Sequence, residues 1–106
     1  MIQTLDTKNF EEAIGGAEPI LVDFWATWCG PCRLQGDVLH EVDEAHPSLR
    51  IGKVNVDDCR ELAMRFGISA IPTMILFKDG QAVESVTGLR DAAAVTELFR
   101  KNGGTL

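Results

Sequence analysis

Cysteine is scarce: the 106-residue chain has three. A small domain stapled by disulfides carries them densely and in even number, so three, without a secretory signal, point to metal or redox use. Long apolar runs are absent as well, and none reaches the length that spans a bilayer. The opening Met1-Ile2-Gln3-Thr4-Leu5-Asp6 lacks a basic region followed by an apolar one, so no secretory signal is visible and a cytoplasmic location is expected. Positive charge is outweighed, with ten Lys and Arg against sixteen Asp and Glu, a net charge of −6. That balance opposes binding to phosphate backbones or anionic membranes, so neither nucleic acid nor membrane is expected as a partner; the acidity reads as solubility. Repeats, linkers and low-complexity segments are missing too. Residues 1–106 therefore read as one domain, large enough for a core and too small for two, and a monomer is expected.

What is present centres on residues 20 to 46. Ile20-Leu21-Val22-Asp23-Phe24-Trp25 is apolar on both faces except for one acid, the pattern of a strand buried on both sides. Leu34, Val38, Val42 and Ala45 then recur at helical steps, and Pro47 closes that helix near His46. Between them lies Trp28-Cys29-Gly30-Pro31-Cys32. Elsewhere, residues 2 to 5 form a weak strand, and Asp6 or Thr7 caps a short helix with Phe10, Ala13 and Ile14 on one face, ended by Gly15-Gly16. Leu49 to Val56 is a strand, and Asp57 or Asp58 caps a helix bearing Cys59, Leu62, Ala63 and Phe66. Ile68 to Pro72 is a loop, Thr73 to Phe77 a strand, Asp79-Gly80 a hairpin turn, and Ala82 to Val86 the returning strand, broken by Gly88. A last helix is capped near Asp91, with Val95, Leu98 and Phe99 inward. The expected fold class is α/β, a mixed sheet covered by helices on both faces.

The cysteine pair carries the chemistry. Cys29 stands at the mouth of a helix, where unpaired N–H groups and the positive dipole end favour a thiolate, the nucleophilic form. Gly30 lets the turn be tight, and Pro31 fits an early helical position where its missing N–H is no loss. Helical neighbours three apart have Cβ atoms about 5–6 Å apart, whereas a disulfide wants about 3.5–4.5 Å. The bond therefore closes only if Cys29 lies outside regular helix. So small a ring removes little entropy from the unfolded chain and is a poor staple. Structural zinc is the other rival, but it wants four ligands, and beyond this pair only Cys59, His40 and His46 remain, with no second Cys-x-x-Cys or His-x-x-His. The pattern favours thiol–disulfide exchange, with Cys29 as nucleophile and Cys32, in the first turn and more covered, as the resolving thiol.

Asp23 interrupts an apolar strand on the same face as Leu21 and Trp25. Burial there raises its pKa, so that it could exchange a proton with Cys32; the competing reading is a solvated acid on an exposed face. Cys59 shares its helix face with Leu62, Ala63 and Phe66, which suits a small buried hydrophobe, the alternative being a regulatory thiol. His40 and His46 read as surface residues.

Asp23-Phe24-Trp25-Ala26-Thr27-Trp28-Cys29-Gly30-Pro31-Cys32 resembles the active-site segment of the thioredoxin family. Lys53-Val54-Asn55-Val56-Asp57, Ile71-Pro72-Thr73, Phe77-Lys78-Asp79-Gly80 and Gly88 follow in the family's order and at about its spacings, so the resemblance covers nearly the whole chain. It implies a sheet of about five strands. It also implies a general protein-disulfide reductase that acts on disulfide-containing proteins, is recharged by a thioredoxin reductase, and needs no cofactor or metal beyond the Cys29–Cys32 pair. By residue, it implies that Lys53 lies near Asp23 and tunes it, where composition alone would allow a surface lysine. It implies a cis bond before Pro72, where sequence alone reads an ordinary loop proline. Trp28, Ala70, Ile71, Pro72 and Gly88 would make a weakly selective surface for protein substrates. Two other functions keep the fold: a non-catalytic binding subunit, and a disulfide oxidase or isomerase. The chain departs from the common pattern at Gly36-Asp37, where many members have a helix proline, at Ala70 in place of a frequent glycine, and at Arg33 in place of a frequent lysine.

Overall fold

The computed structural model describes residues 1–106. In chain order it has β1 (Ile2–Thr4), α1 (Phe10–Ile14), β2 (Ile20–Trp25), α2 (Gly30–Ala45), β3 (Arg50–Asn55), α3 (Arg60–Arg65), β4 (Thr73–Lys78), β5 (Gln81–Thr87) and α4 (Ala92–Lys101). The five strands form one sheet in the order β1-β3-β2-β4-β5. β3 runs parallel to both β1 and β2, while β4 is antiparallel to β2 and to β5. This is the expected mixed sheet of five strands.

β2 is central because both of its faces are apolar, and alternation sends successive side chains to opposite sides. Ile20, Val22 and Phe24 join Phe77 of β4, Phe10 and Ile14 of α1 and Leu62 of α3 in one core layer. Leu21 joins Ile51 of β3, Met74 and Leu76 of β4, Leu39 and Val42 of α2, and Val95, Leu98 and Phe99 of α4 in the other. Asp79 (φ 55°) and Gly80 (φ 78°) both take left-handed backbone between β4 and β5, the geometry of a type I′ hairpin turn.

Three local expectations are corrected. The buried face of α2 is Cys32, Gln35, Gly36, Leu39 and Val42; Leu34 is 55% exposed and Ala45 is exposed. Of the apolar residues chosen from the sequence, Val42 lies on the true stripe and Val38 at its edge, while Leu34 and Ala45 sit off it, because the stripe includes a polar residue and a glycine. Neither Asp6 nor Thr7 caps α1, whose N-cap is Asn9. Asp6 instead accepts N–H bonds from Lys8 and Asn9 in the preceding turn. Neither Asp57 nor Asp58 caps α3, whose N-cap is Cys59; their own N–H groups are bound by the Asn55 side chain, so the turn is fixed one step earlier.

Candidate active site

β2 ends at Trp25, and after a four-residue connection α2 begins with Cys29 as its N-cap. Cys29 has extended backbone (φ −97°, ψ 112°), outside the helix as the disulfide requires. The Cys29–Cys32 disulfide is formed, with Cα atoms 5.2 Å apart. Pro31 lies in the first turn, and Gly30 has nothing within 4 Å of where a Cβ would be. The Cys32 N–H donates to Cys29 Sγ at 3.2 Å. A first-turn N–H is thus aimed at the Cys29 sulfur, an arrangement that favours negative charge there.

On β2, Asp23 is buried, and neither carboxylate oxygen has a hydrogen-bond partner. Burial pushes its carboxyl from an ordinary 3.8 up to about 7, partly opposed by the Lys53 ammonium. Lys53 is the register partner of Asp23 across β2 and β3. Its Nζ lies 4.6 Å from the centre of the Trp25 ring and 3.5 Å from the position a Cβ on Gly36 would take. Gly36 is one helical turn past Cys32, so the ammonium sits under the redox helix. A cavity of about 220 Å³ touches both cysteines and Lys53, with Gly36, Asp37 and His40 on its rim.

The Ile71–Pro72 bond is cis. The Ile71 carbonyl oxygen lies 3.9 Å from Cys29 Sγ, and Ile71 packs on the small cluster of Ala26, Cys29 and Cys32. The Gly88 N–H donates to the Pro72 carbonyl at 2.8 Å, and Gly88 needs its φ of 94° to turn there. Thr73 Oγ1 donates to the Ala70 carbonyl at 2.6 Å and meets Thr87 Oγ1 at 3.2 Å. An open groove of about 610 Å³ runs past the disulfide between Trp28, Cys29, Gly30 and Pro31 on one side and Ala70 and Ile71 on the other. Trp28 is 70% exposed, yet its indole N–H donates to Asp57 Oδ2 at 2.8 Å.

Of the residues singled out from the sequence, Trp28, Gly30, Pro31, Ala70 and Ile71 line the groove with Cys29; Cys32 and Lys53 border the smaller cavity; Asp23 pairs in register with Lys53; and Pro72 and Gly88 stand beside the groove and do not line it. Three further lining residues, Val56, Ile68 and Ser69, went unread because each belonged to an ordinary strand end or loop. Asp57 and Gln35 were also missed. Gln35 is fully buried on α2, and its amide donates to the Arg90 carbonyl and accepts the Arg90 N–H. Its position three residues after Cys32 on the inward stripe was the available signal. Cys59 is buried in the core layer with Leu62, as a small hydrophobe would be.

A disulfide-forming Cys-x-x-Cys at the mouth of the helix after a central strand, with a cis-proline loop packed on it, defines a protein dithiol–disulfide oxidoreductase. Comparison with known proteins gives the family. The Thioredoxin family model matches residues 1–101. The thioredoxin of Alicyclobacillus acidocaldarius subsp. acidocaldarius is 51% identical over 86 residues, 80% of this chain and 82% of that one. The bifunctional thioredoxin reductase/thioredoxin of Mycobacterium leprae is 42% identical over 95 residues, 89% of this chain and 21% of that one. Among solved structures, the Malassezia sympodialis thioredoxin superposes with a TM-score of 0.85 at 33% identity, covering 94% of this chain and 91% of that one. The chain belongs to the thioredoxin family.

Proposed function

We propose that this chain is a general protein-disulfide reductase that works as a monomeric single domain in the cytoplasm and is recharged by a thioredoxin reductase. The observation that carries the reading is Cys29 at the helix N-cap, disulfide-bonded to Cys32 and opening on an uncharged groove. In the reduced form the Cys29 thiolate attacks one sulfur of a substrate disulfide. That S–S bond breaks, a mixed disulfide forms on Cys29, and the departing thiolate takes up a proton. Cys32 then gives its proton to the Asp23 carboxylate, which a carboxyl titrating near neutrality can accept. The Cys32 thiolate attacks Cys29 Sγ, restoring the intramolecular disulfide and releasing the second substrate thiol. Two electrons pass to the substrate; of the two protons its thiolates take up, one balances that given up by Cys32 and the other comes from solvent, and no bound cofactor is needed. Lys53 holds down the rise in the Asp23 pKa and borders the cavity that touches both cysteines.

Trp28, Ala70 and Ile71 supply a largely apolar surface, and Ile71 adds an outward backbone to which an extended peptide can bond strand-fashion. Pro72 and Gly88 fix that backbone in place. The acidic net charge supports the exclusion of nucleic acid and anionic membrane. The Mycobacterium leprae relative, whose name joins a thioredoxin reductase to a thioredoxin, supports a reductase as electron donor.

The test is trapping together with a potential. Cys32→Ser should accumulate a mixed disulfide between Cys29 and insulin whose disulfides are intact, while the wild type, resupplied with electrons by a small dithiol, should turn insulin over. The Cys29–Cys32 potential should lie below that of the glutathione pool. A potential well above the pool would make the protein an oxidant, and activity surviving replacement of both cysteines by serine would make it a binding module.

A further inference from the structure

We propose that Gln35 is a positioning residue that ties the Gly88-Leu89-Arg90 loop, which stands beside the groove, to the redox helix, so that reduction of protein disulfides depends on it and reduction of small disulfides does not. The proposal rests on the reductase reading and names the device that shapes its substrate surface. Gln35 Nε2 donates to the Arg90 carbonyl at 3.0 Å, and Arg90 N–H donates to Gln35 Oε1 at 2.8 Å. One buried side chain thus satisfies both backbone groups of a residue 55 positions away. Leu89 and Arg90 make no backbone–backbone hydrogen bond, so the amide is the polar link that holds this stretch to the body of the protein. Upstream, Gly88 N–H is bound by the Pro72 carbonyl, and the Ile71 carbonyl touches Cys29 Sγ. A ring of contacts therefore closes from Cys29 through Ile71, Pro72, Gly88 and Arg90 to Gln35, one turn beyond Cys32. Leu89, between the two anchors, is 44% exposed and free to touch a substrate.

Buried polar groups deprived of their partners move toward water when the chain lets them. An apolar side chain at 35 would leave both Arg90 groups unpaired, and the loop would swing out to hydrate them. A small disulfide needs only the Cys29 sulfur. A protein disulfide arrives on a chain long enough to reach past the groove to the exposed Leu89, and it loses binding when that loop moves.

The experiment compares wild type and Gln35→Met, which keeps the length and removes the amide, with insulin and with 2-hydroxyethyl disulfide as substrates. The expected result is a KM for insulin raised about tenfold, the order expected from losing two buried hydrogen bonds. The kcat, the rate with 2-hydroxyethyl disulfide and the Cys29–Cys32 potential should not change. Equal losses on both substrates, or no loss on either, would overturn the proposal. If Gln35→Met does not fold, hydrogen exchange of the wild type decides: an Arg90 amide protected relative to the Leu89 amide supports the clamp, and equal exchange rejects it. A wild type that reduces neither substrate rejects the reductase reading itself, which is a different failure.

Discussion

Replacing Asp23 by Asn should make the oxidised protein more stable, and by an amount that depends on pH. In the native state the carboxyl is buried without a hydrogen-bond partner and titrates near 7; in the unfolded chain it titrates near 3.8. Between those values the native state holds a proton that the unfolded state has already lost, so wild-type stability falls as pH rises through this window. Each pH unit is worth about 1.4 kcal/mol. A separation of about three units gives about 4 kcal/mol, fully expressed above pH 7 and absent below about pH 4. Asn has nearly the same shape and does not ionise. Its own unpaired amide adds an offset that does not vary with pH, so the slope is the clean readout. The assay is urea unfolding of both proteins at fixed pH values from 4 to 9, with the difference in unfolding free energy plotted against pH. The difference should climb by about 4 kcal/mol between pH 4 and 7 and then level off. Parallel curves would show that Asp23 ionises in the native state as it does in the unfolded chain, and the proton-transfer role built on its raised pKa would go with them. The stabilised variant should also resolve mixed disulfides more slowly, because it has given up the acceptor for the Cys32 proton.

Two further outcomes follow from the packing. Gly52→Ala puts a Cβ 2.5 Å from Leu5 Cδ1 and 3.0 Å from Leu5 Cγ at the pairing of β3 with β1, and should lower unfolding free energy by about 1–3 kcal/mol in urea titration at constant pH; an unchanged midpoint would mean that β1 gives way freely. Cys59 is buried, and its thiol is pushed up first by that burial and then by the Asp58 and Asp6 carboxylates. In the reduced native protein iodoacetamide should label Cys29 well before Cys59, as peptide mapping over a time course would show; comparable rates would mean that Cys59 is an accessible thiolate.

The legible parts of the chain were those whose signal is local and apolar. β2 stands out because six residues are apolar on both faces but for Asp23, and the lone acid is conspicuous for the same reason. The extended conformation of Cys29 follows from the reach of a disulfide, and the β4–β5 hairpin from Asp79-Gly80. Residues whose partners are distant were not legible. Asp57 looked like a helix cap because it precedes α3, but its carboxylate meets the Trp28 indole, 29 positions back. The inward stripe of α2 was misplaced because an apolar pattern rejects Gln35 and Gly36 and accepts Leu34, which faces solvent. Gln35 is tolerated inside because its amide is fully used by Arg90, a fact held in the loop after β5 and not in the helix. The placement of Lys53 beside Asp23 came from the family resemblance, since a lysine in a strand reads equally well as a surface residue.

The polar groups around the disulfide are mostly used on one another. Gln35 is bound to Arg90, Gly88 to Pro72, Thr73 to Ala70 and Trp28 to Asp57. The groove between them is left to Cys29, Gly30, Pro31, Val56, Ile68, Ala70 and Ile71, with Trp28 at one side and Ser69 as its one hydroxyl. No charged side chain lines it to select or reject a substrate by sign. Under the proposed function, discrimination would come from whether a disulfide can reach Cys29 and whether its flanking chain can lie extended beside Ile71. Such a surface asks for an accessible bond and a flexible segment, properties that many proteins share, and this fits a reductant with many substrates better than one built for a single partner. The polar pairs, exposed at Trp28–Asp57 and buried at Gln35, keep their hydrogen-bonding groups occupied, so the apolar surface between them offers few polar side chains to read a sequence.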